Sequence, residues 1–335
     1  MQGNKKIGQT STQGKTMRST KSQTKAFIFV FLLFSFLFTG CAVLTTSQVK
    51  EVEKFAKASQ GYSELPGALV QSYGILIRNS KLLSVTRKEF GQTDKQGGID
   101  TSEANDAFET IKSAYKDEMD FTAAGKQMDA ALSVLNIYSN LLTSLVSGNF
   151  SDALTDSAEK LGRSLDKATD EYNDKYKTDV PLKKVGGLIA MGIRSSGGLY
   201  IRQKQASILK NTINEANPLI VNLMDAIQII ASEKLKPSFV NYEKNYIGKE
   251  FKAAVNDKKQ VDISTVLFVY DNVYKARQLI ILSDQISKAA ENYKKAHMDL
   301  VENTRTRKTL DVIRQIEALS KEVKAANKVK KDVGK

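Results

Sequence analysis

Three features of the sequence predict an all-α chain, an elongated antiparallel bundle of long helices with no significant sheet. Apolar residues recur at three- and four-residue steps from Val49 to Ala326. The four prolines, Pro66, Pro181, Pro218 and Pro237, fall at or near positions where helices would begin. There a missing N–H costs nothing, because the first turn has no intrahelical acceptor for it. Residues 249–333 contain neither Gly nor Pro, and the only strand-like run, residues 261–269 (VDISTVLFV), fits a helix equally well.

Taken in order, residues 45–60 form a short helix with Val49, Val52 and Ala56 on one side. Pro66 opens the next, whose face is Leu69, Tyr73, Leu76 and Leu83 with Val70 and Ile77 beside it, ending near Lys88. Residues 90–99 are polar, glycine-bearing and loop-like. Asp100 with Glu103 three residues on makes a capping box for a long helix to Ser147. Its stripe Ala104, Phe108, Ile111, Tyr115 and Met119 passes Gly125, the place for a bend, into Met128, Leu132, Leu135 and Leu142.

After a turn at Gly148-Asn149, Ser151 caps a helix built on Leu154, Ala158, Leu161, Leu165, Ala168 and Tyr172, and Asp179 with Pro181 restarts the pattern. Asn217-Pro218 starts a helix with Leu223, Met224 and Ile227 inward; Pro237 kinks or ends it, and Phe239, Tyr242 and Tyr246 carry a stripe to Gly248. Asp262 caps the second long helix, with Ile263, Val266, Tyr270, Val273, Ile280, Tyr293 and Leu300 at helical steps. Polar residues 305–308 break it before Leu310, Ile313, Ile316, Leu319, Val323 and Ala326 resume the spacing. The lysine-rich end reads as a fraying, solvated helix.

The stretch that sets location is residues 26–41, AFIFVFLLFSFLFTGC. It follows a leader whose only charges are Lys5, Lys6, Lys15, Arg18, Lys21 and Lys25, the pattern of a positive n-region before a secretory h-region. Residues 26–38 would make a helix of only about 20 Å, short of the roughly 30 Å of hydrocarbon that a spanning helix must cross. The run ends in Phe38-Thr39-Gly40-Cys41, which resembles the lipobox of bacterial lipoproteins: an apolar residue, two small ones, then the cysteine. Phe38 stands where that family most often has Leu; Leu37 lies one position back. The resemblance implies cleavage between Gly40 and Cys41, acylation at Cys41 and, with Ala42 next, sorting to an outer membrane facing the periplasm. Cys41 is the only cysteine, so it has no internal disulfide partner. The alternative is an unmodified cysteine closing an ordinary signal peptide or signal anchor. The organisation expected is a signal peptide at 1–40, a tether with a short helix at 41–65, and the bundle at 66–335 with its basic helical tail.

Of the net charge of +13, six positive charges lie in the leader, and the balance of the remainder is +7. That suits an anionic surface but is no nucleic-acid signature. Residues 185–201 (VGGLIAMGIRSSGGLYI) are the least helix-like part of the body, with Gly186, Gly187, Gly192, Gly197 and Gly198 each weakening a helix by roughly 1 kcal/mol relative to Ala. Close packing against a neighbouring helix is the first reading, and a membrane-active hairpin the second. A phosphate loop lacks both its Lys-Ser/Thr and its preceding strand.

The chemical inventory is mostly negative. His297 is the only histidine, which leaves no His/Cys metal set and no nucleophile triad beyond it. It is read as a partly exposed helix position, and Asp117, Glu118 and Asp120 as a solvated face. No cofactor and no metal are expected. The function predicted is a membrane-anchored envelope lipoprotein whose non-catalytic body binds an envelope protein partner, with no nucleic-acid role. A pore-forming-like protein using residues 185–201 and a carboxylate-based envelope enzyme are the alternatives.

Overall fold

The computed structural model describes residues 44–85, 102–147, 153–176, 183–194, 201–258, 263–306 and 309–333. The leader, Gly40, Cys41, Gly197, Gly198, the 90–99 loop, the Asp100 and Asp262 caps and Pro181 lie outside them. Among the described residues every element is helical and there is no strand, an all-α bundle.

Helix α1 (Thr46–Ser63) starts at a capping box: the Thr45 hydroxyl accepts from Gln48 N at 3.2 Å, and Gln48 Oε1 accepts from Thr45 N at 3.0 Å. Val52, Phe55, Ala56, Ser59 and Tyr62 are buried, so this segment is part of the core. Only Glu64 separates it from α2 (Leu65–Val85), which carries Pro66 in its first turn. Helix α3 (Ser102–Val146) runs antiparallel to both. Ser63 Oγ donates to Asn136 Oδ1 at 3.0 Å, Arg78 pairs with Glu118 at 2.7 Å and Lys81 with Asp117 at 2.6 Å. Gly125, read as the place for a bend, does not end α3. The helix is continuous, and Gly125 instead allows close approach, since a Cβ there would lie 2.6 Å from the Gly67 carbonyl oxygen.

Helices α4 (Ala153–Tyr176) and α5 (Gly186–Arg194) cross at a second glycine pair. A Cβ on Gly162 would meet the Gly186 carbonyl oxygen at 2.5 Å.

Helix α6 (Ile201–Ile229) corrects the expectation that Asn217-Pro218 begins a helix, because Pro218 lies well inside it. An interior proline costs about 3 kcal/mol. It is tolerated where Leu219, Ile220, Leu223, Met224 and Ile227 are all fully buried around it. Pro237 and Gly248 do not stop the chain either. A π-helical turn at Ile230–Leu235, a short α7 (Lys236–Asn241), a second π-turn at Tyr242–Ile247 and α8 (Gly248–Lys258) follow without a break. Lys236 N bonds back to Ala231 O, a five-residue step. The widened turn just before Pro237 makes room for a ring that would clash with a carbonyl in a regular helix.

Helix α9 (Ile263–Thr306) runs antiparallel to α6–α8, through Lys236–Asp284 at 2.7 Å and Arg277–Glu243 at 2.9 Å. Helix α10 (Thr309–Val333) folds back onto α1 and α9. Its lysine-rich end is packed, not frayed: Ala326 is buried, Asn327 Nδ2 donates to Gly61 O at 3.3 Å and Lys330 Nζ to Glu64 O at 3.2 Å.

Candidate functional site

The polar interior comes first, because it holds the only histidine. His297 is fully buried, which overturns its reading as a partly exposed position. Lys294 and Lys295 beside it point outward, Lys294 pairing with Asp225 at 2.7 Å, while the imidazole, two residues beyond Lys295, lies inside. With the Asn217 Oδ1 accepting from Nδ1 at 3.1 Å, Nε2 accepts from the Tyr138 hydroxyl at 2.8 Å. Burial pushes its pKa down to about 3. Phe55 packs on both His297 and Tyr293, and Tyr293 shares a 2.6 Å hydrogen bond with Ser59. Every member has a partner on another helix. This is a core network joining α1, α3, α6 and α9, with no free nucleophile or base.

Acidic residues give no converging set. Among the described residues no group of three or more His, Cys, Asp or Glu could hold a metal ion. Asp117 and Glu118 pair with α2, and Asp120 pairs with Lys116 at 2.9 Å. Asp129 stands apart: its Oδ1 is buried without a hydrogen-bond partner, beside Gly67. Burial raises its pKa to about 6, with nearby Lys330 working against the rise and Glu64 adding to it. Sequence reading missed it, since Asp129 looks like any solvated helix acid.

The glycine segment resolves in part. Gly186 and Gly187 begin α5, where Asp166 caps them both: its carboxylate accepts from Gly186 N at 2.7 Å and Gly187 N at 3.0 Å. Gly186 is a packing glycine against Gly162, Gly187 is solvent-exposed, and Gly192 lies within the same helix. A shallow groove of about 290 Å³ between α4 and α5 is lined by Glu159, Arg163, Asp166, Gly187, Ala190 and Met191.

The feature with most bearing on function is at the end of the bundle away from Thr45. Helix α10 reaches only the α1–α2 junction, where Lys330 meets Glu64 and Tyr62 reaches Ile286 O on α9. Helix α4, at 24 residues, can cover only about half of the 45-residue α3 that precedes it. Beyond these limits the described residues form α2, α3, the rod of α7 and α8 with the π-turn between them, and the first half of α9, with Phe239 and Tyr242 of the rod buried against α2 and α9. There α2 is the central element, tied to α3 by Arg78 and Lys81 and to α9 by Asn79, whose Nδ2 donates to Asn272 Oδ1 at 2.7 Å.

Two apolar stripes lie bare in this thin half. On α3 they are Phe108, Ile111, Tyr115 and Met119, Tyr115 being 64% exposed. These were expected to face inward; the residues that do are Ala107 and Ala114, with Gly125. A helix seated on small side chains sits close to α2 and leaves its larger ones on the flank. On α9 the bare stripe is Ile263, Leu267, Tyr270 and Tyr274, with Val266 alongside, Ile263 being 72% exposed. Antiparallel register from the Arg277–Glu243 pair sets Tyr246 and Val255 of the neighbouring rod on the same stretch, and both are exposed. No family model matches the chain, and no curated protein and no solved structure matches it.

Proposed function

We propose that this chain is a membrane-anchored bacterial envelope lipoprotein, held at Cys41, whose helical body is a non-catalytic interaction module working through the bare faces of α3, α8 and α9. The observation that carries the reading is those faces: large apolar side chains outside the core, grouped at one end. Contiguous apolar surface of this kind on a water-soluble body marks a binding surface. The leader supplies the other half of the argument. Helix α1 begins five residues after Cys41, so an acyl anchor there would tether the body through a linker of only a few residues. Among the described residues no helix is long and apolar enough to cross a membrane.

The test is Cys41→Ser in the full chain. Loss of acyl labelling, with an uncleaved or soluble product, is the expected result; unchanged migration and membrane partition would sink the anchor.

A second reading, membrane action through residues 185–201, draws on Leu188 and Met191, which α5 leaves exposed. Leakage of dye from anionic vesicles, abolished by Met191→Glu, is its discriminating result.

A further inference from the structure

We infer that the bare faces of the thin half bind a second copy of this chain, the α3 stripe of each copy seated on the α8–α9 face of the other about a two-fold axis. This rests on the reading of those faces as a binding surface and names what occupies them. The first argument is shape. The α3 stripe, Phe108 to Met119, and the α9 stripe, Ile263 to Tyr274, each span twelve residues, about 17 Å of helix, and both advance in three- and four-residue steps. Ridges of equal length and matching step interdigitate along their whole length.

Charge is the second argument. Residues 102–120 of α3 carry six carboxylates against two lysines, whereas residues 244–281 carry seven basic residues against four acidic ones. In sequence the stretch that bears the α3 stripe is net acidic, although Glu118 and Asp117 are paired to Arg78 and Lys81 of α2, and the stretch that bears the other stripe is net basic. Glu109 and Asp120 are paired only to exposed lysines of their own helix, Lys112 and Lys116, interactions of little strength that leave the acidic field available. Opposite fields across an interface steer the encounter and fix its register.

Area is the third. Large apolar side chains contribute about 150–250 Å² each when fully exposed. The eleven on these two faces, each uncovered by between about four and seven tenths, present about 1,000 Å² per copy. Divided between the two faces this is about 400 Å² on α3 and about 600 Å² on α8 and α9, each the size of the largest patch that a monomer usually leaves, roughly 300–600 Å². Two copies meeting through both faces bury about 2,000 Å², within the range of stable interfaces. A two-fold contact uses both faces of both copies at once, so neither apolar surface is left over, and the assembly closes.

The experiment uses the full chain in bacterial membranes, with a photo-crosslinking benzoylphenylalanine at Tyr115 and two differently tagged copies co-expressed. Irradiation should give a covalent species of twice the chain mass that carries both tags, with the link mapped by mass spectrometry to residues 244–281 of the other copy. Tyr270→Glu, at an exposed position that the fold does not need, should cut the yield at least tenfold while leaving helical content unchanged. A link to a different protein would overturn the second-copy inference and leave the interaction reading standing. Products confined to the chain itself, or to lipid, would overturn both.

Discussion

The two halves of this bundle are built from the same long helices and differ in what surrounds them. Near Thr45, the second half of α3 and of α9 lies among α1, α6 and α10, and Tyr62, Leu135, Tyr138, Tyr293 and His297 lose all contact with water. Towards the other end the first half of α3 has one close partner in α2, the first half of α9 lies between α2 and the rod of α7 and α8, and both keep bare flanks. What differs is the number of neighbours, not the apolar content of the helix. A helix that is apolar on two faces is stable with one face covered only if the other is covered elsewhere or used.

The largest expected contrast comes from matched truncations. Phe55, enclosed by Tyr293 and His297 with ring centroids 4.9 and 5.9 Å away, should cost about 3–5 kcal/mol of unfolding free energy when replaced by Ala. Phe108→Ala, on the bare stripe, should change it by no more than about 0.5 kcal/mol at concentrations too low for association. Urea denaturation measures both. A Phe108 loss as large as that of Phe55 would mean the thin half is not bare.

The same division should be visible within one helix. Amides of α3 around Leu132 to Leu142 are expected to be protected from hydrogen exchange at least about 100-fold more than those around Ser113 to Met119, because local opening is easier where few buried contacts are lost. Uniform protection along α3 would break the comparison.

These expectations mark what could be read from the residues alone. The helices were legible, because three- and four-residue spacing is a property of the chain, and so was Pro66 in a first turn. Which of two apolar faces turns inward was not. Phe108 and Tyr115 outrank Ala107 and Ala114 in hydrophobicity, yet the alanines, one heptad apart, let α2 come close. Those small residues, with Gly125 eleven residues further on and so close to the same face, were the available signal. Pro218 misled for a related reason: a local breaker is overridden when residues on both sides of it, here Ala216, Leu219 and Ile220, are buried. His297 was misplaced because neighbouring lysines suggested solvent, whereas the two residues from Lys295 to His297 turn the side chain by about 200° round the helix axis, from solvent to core. Ile263, Val266 and Tyr270 were read as part of a buried stripe and are exposed, and Val255, Leu267 and Tyr274 were not singled out, since exposure depends on where α10 and α4 end.

A smaller effect should follow pH. His297 has a folded pKa of about 3, below the ordinary 6.5. The unfolded chain therefore takes up a proton first, and stability is fully present above pH 6.5 and falls as pH drops towards 3. The slope approaches about 1.4 kcal/mol per pH unit. Asp129 works in the opposite sense. Its folded pKa, raised to about 6, makes its contribution complete below about 3.8 and lost as pH rises through 6. Between pH 6 and 4 the two partly cancel, so Asp129→Asn should expose a steeper acid loss than the parent shows. A shallower acid loss in the variant would refute the assignment.

The smallest effect is also the sharpest in sign. Gly186 and Gly187 are adjacent, both open α5, and both give their N–H to Asp166. A Cβ on Gly187 would meet only Asp166 Oδ2, at 3.7 Å, an ordinary contact. Replacing a helical glycine by alanine without a clash restricts the unfolded chain, so Gly187→Ala should stabilise by about 0.4–1 kcal/mol. At Gly186 the same methyl would run into the Gly162 backbone, and α4 and α5 would have to separate. Gly186→Ala should therefore destabilise, by about 1–3 kcal/mol. Thermal melts of the two variants decide it. Opposite shifts identify Gly186 as the closing point of the α4–α5 crossing, while two shifts of the same sign would mean that α5 is free to move on α4 and that its exposed Leu188 and Met191 have a use beyond packing.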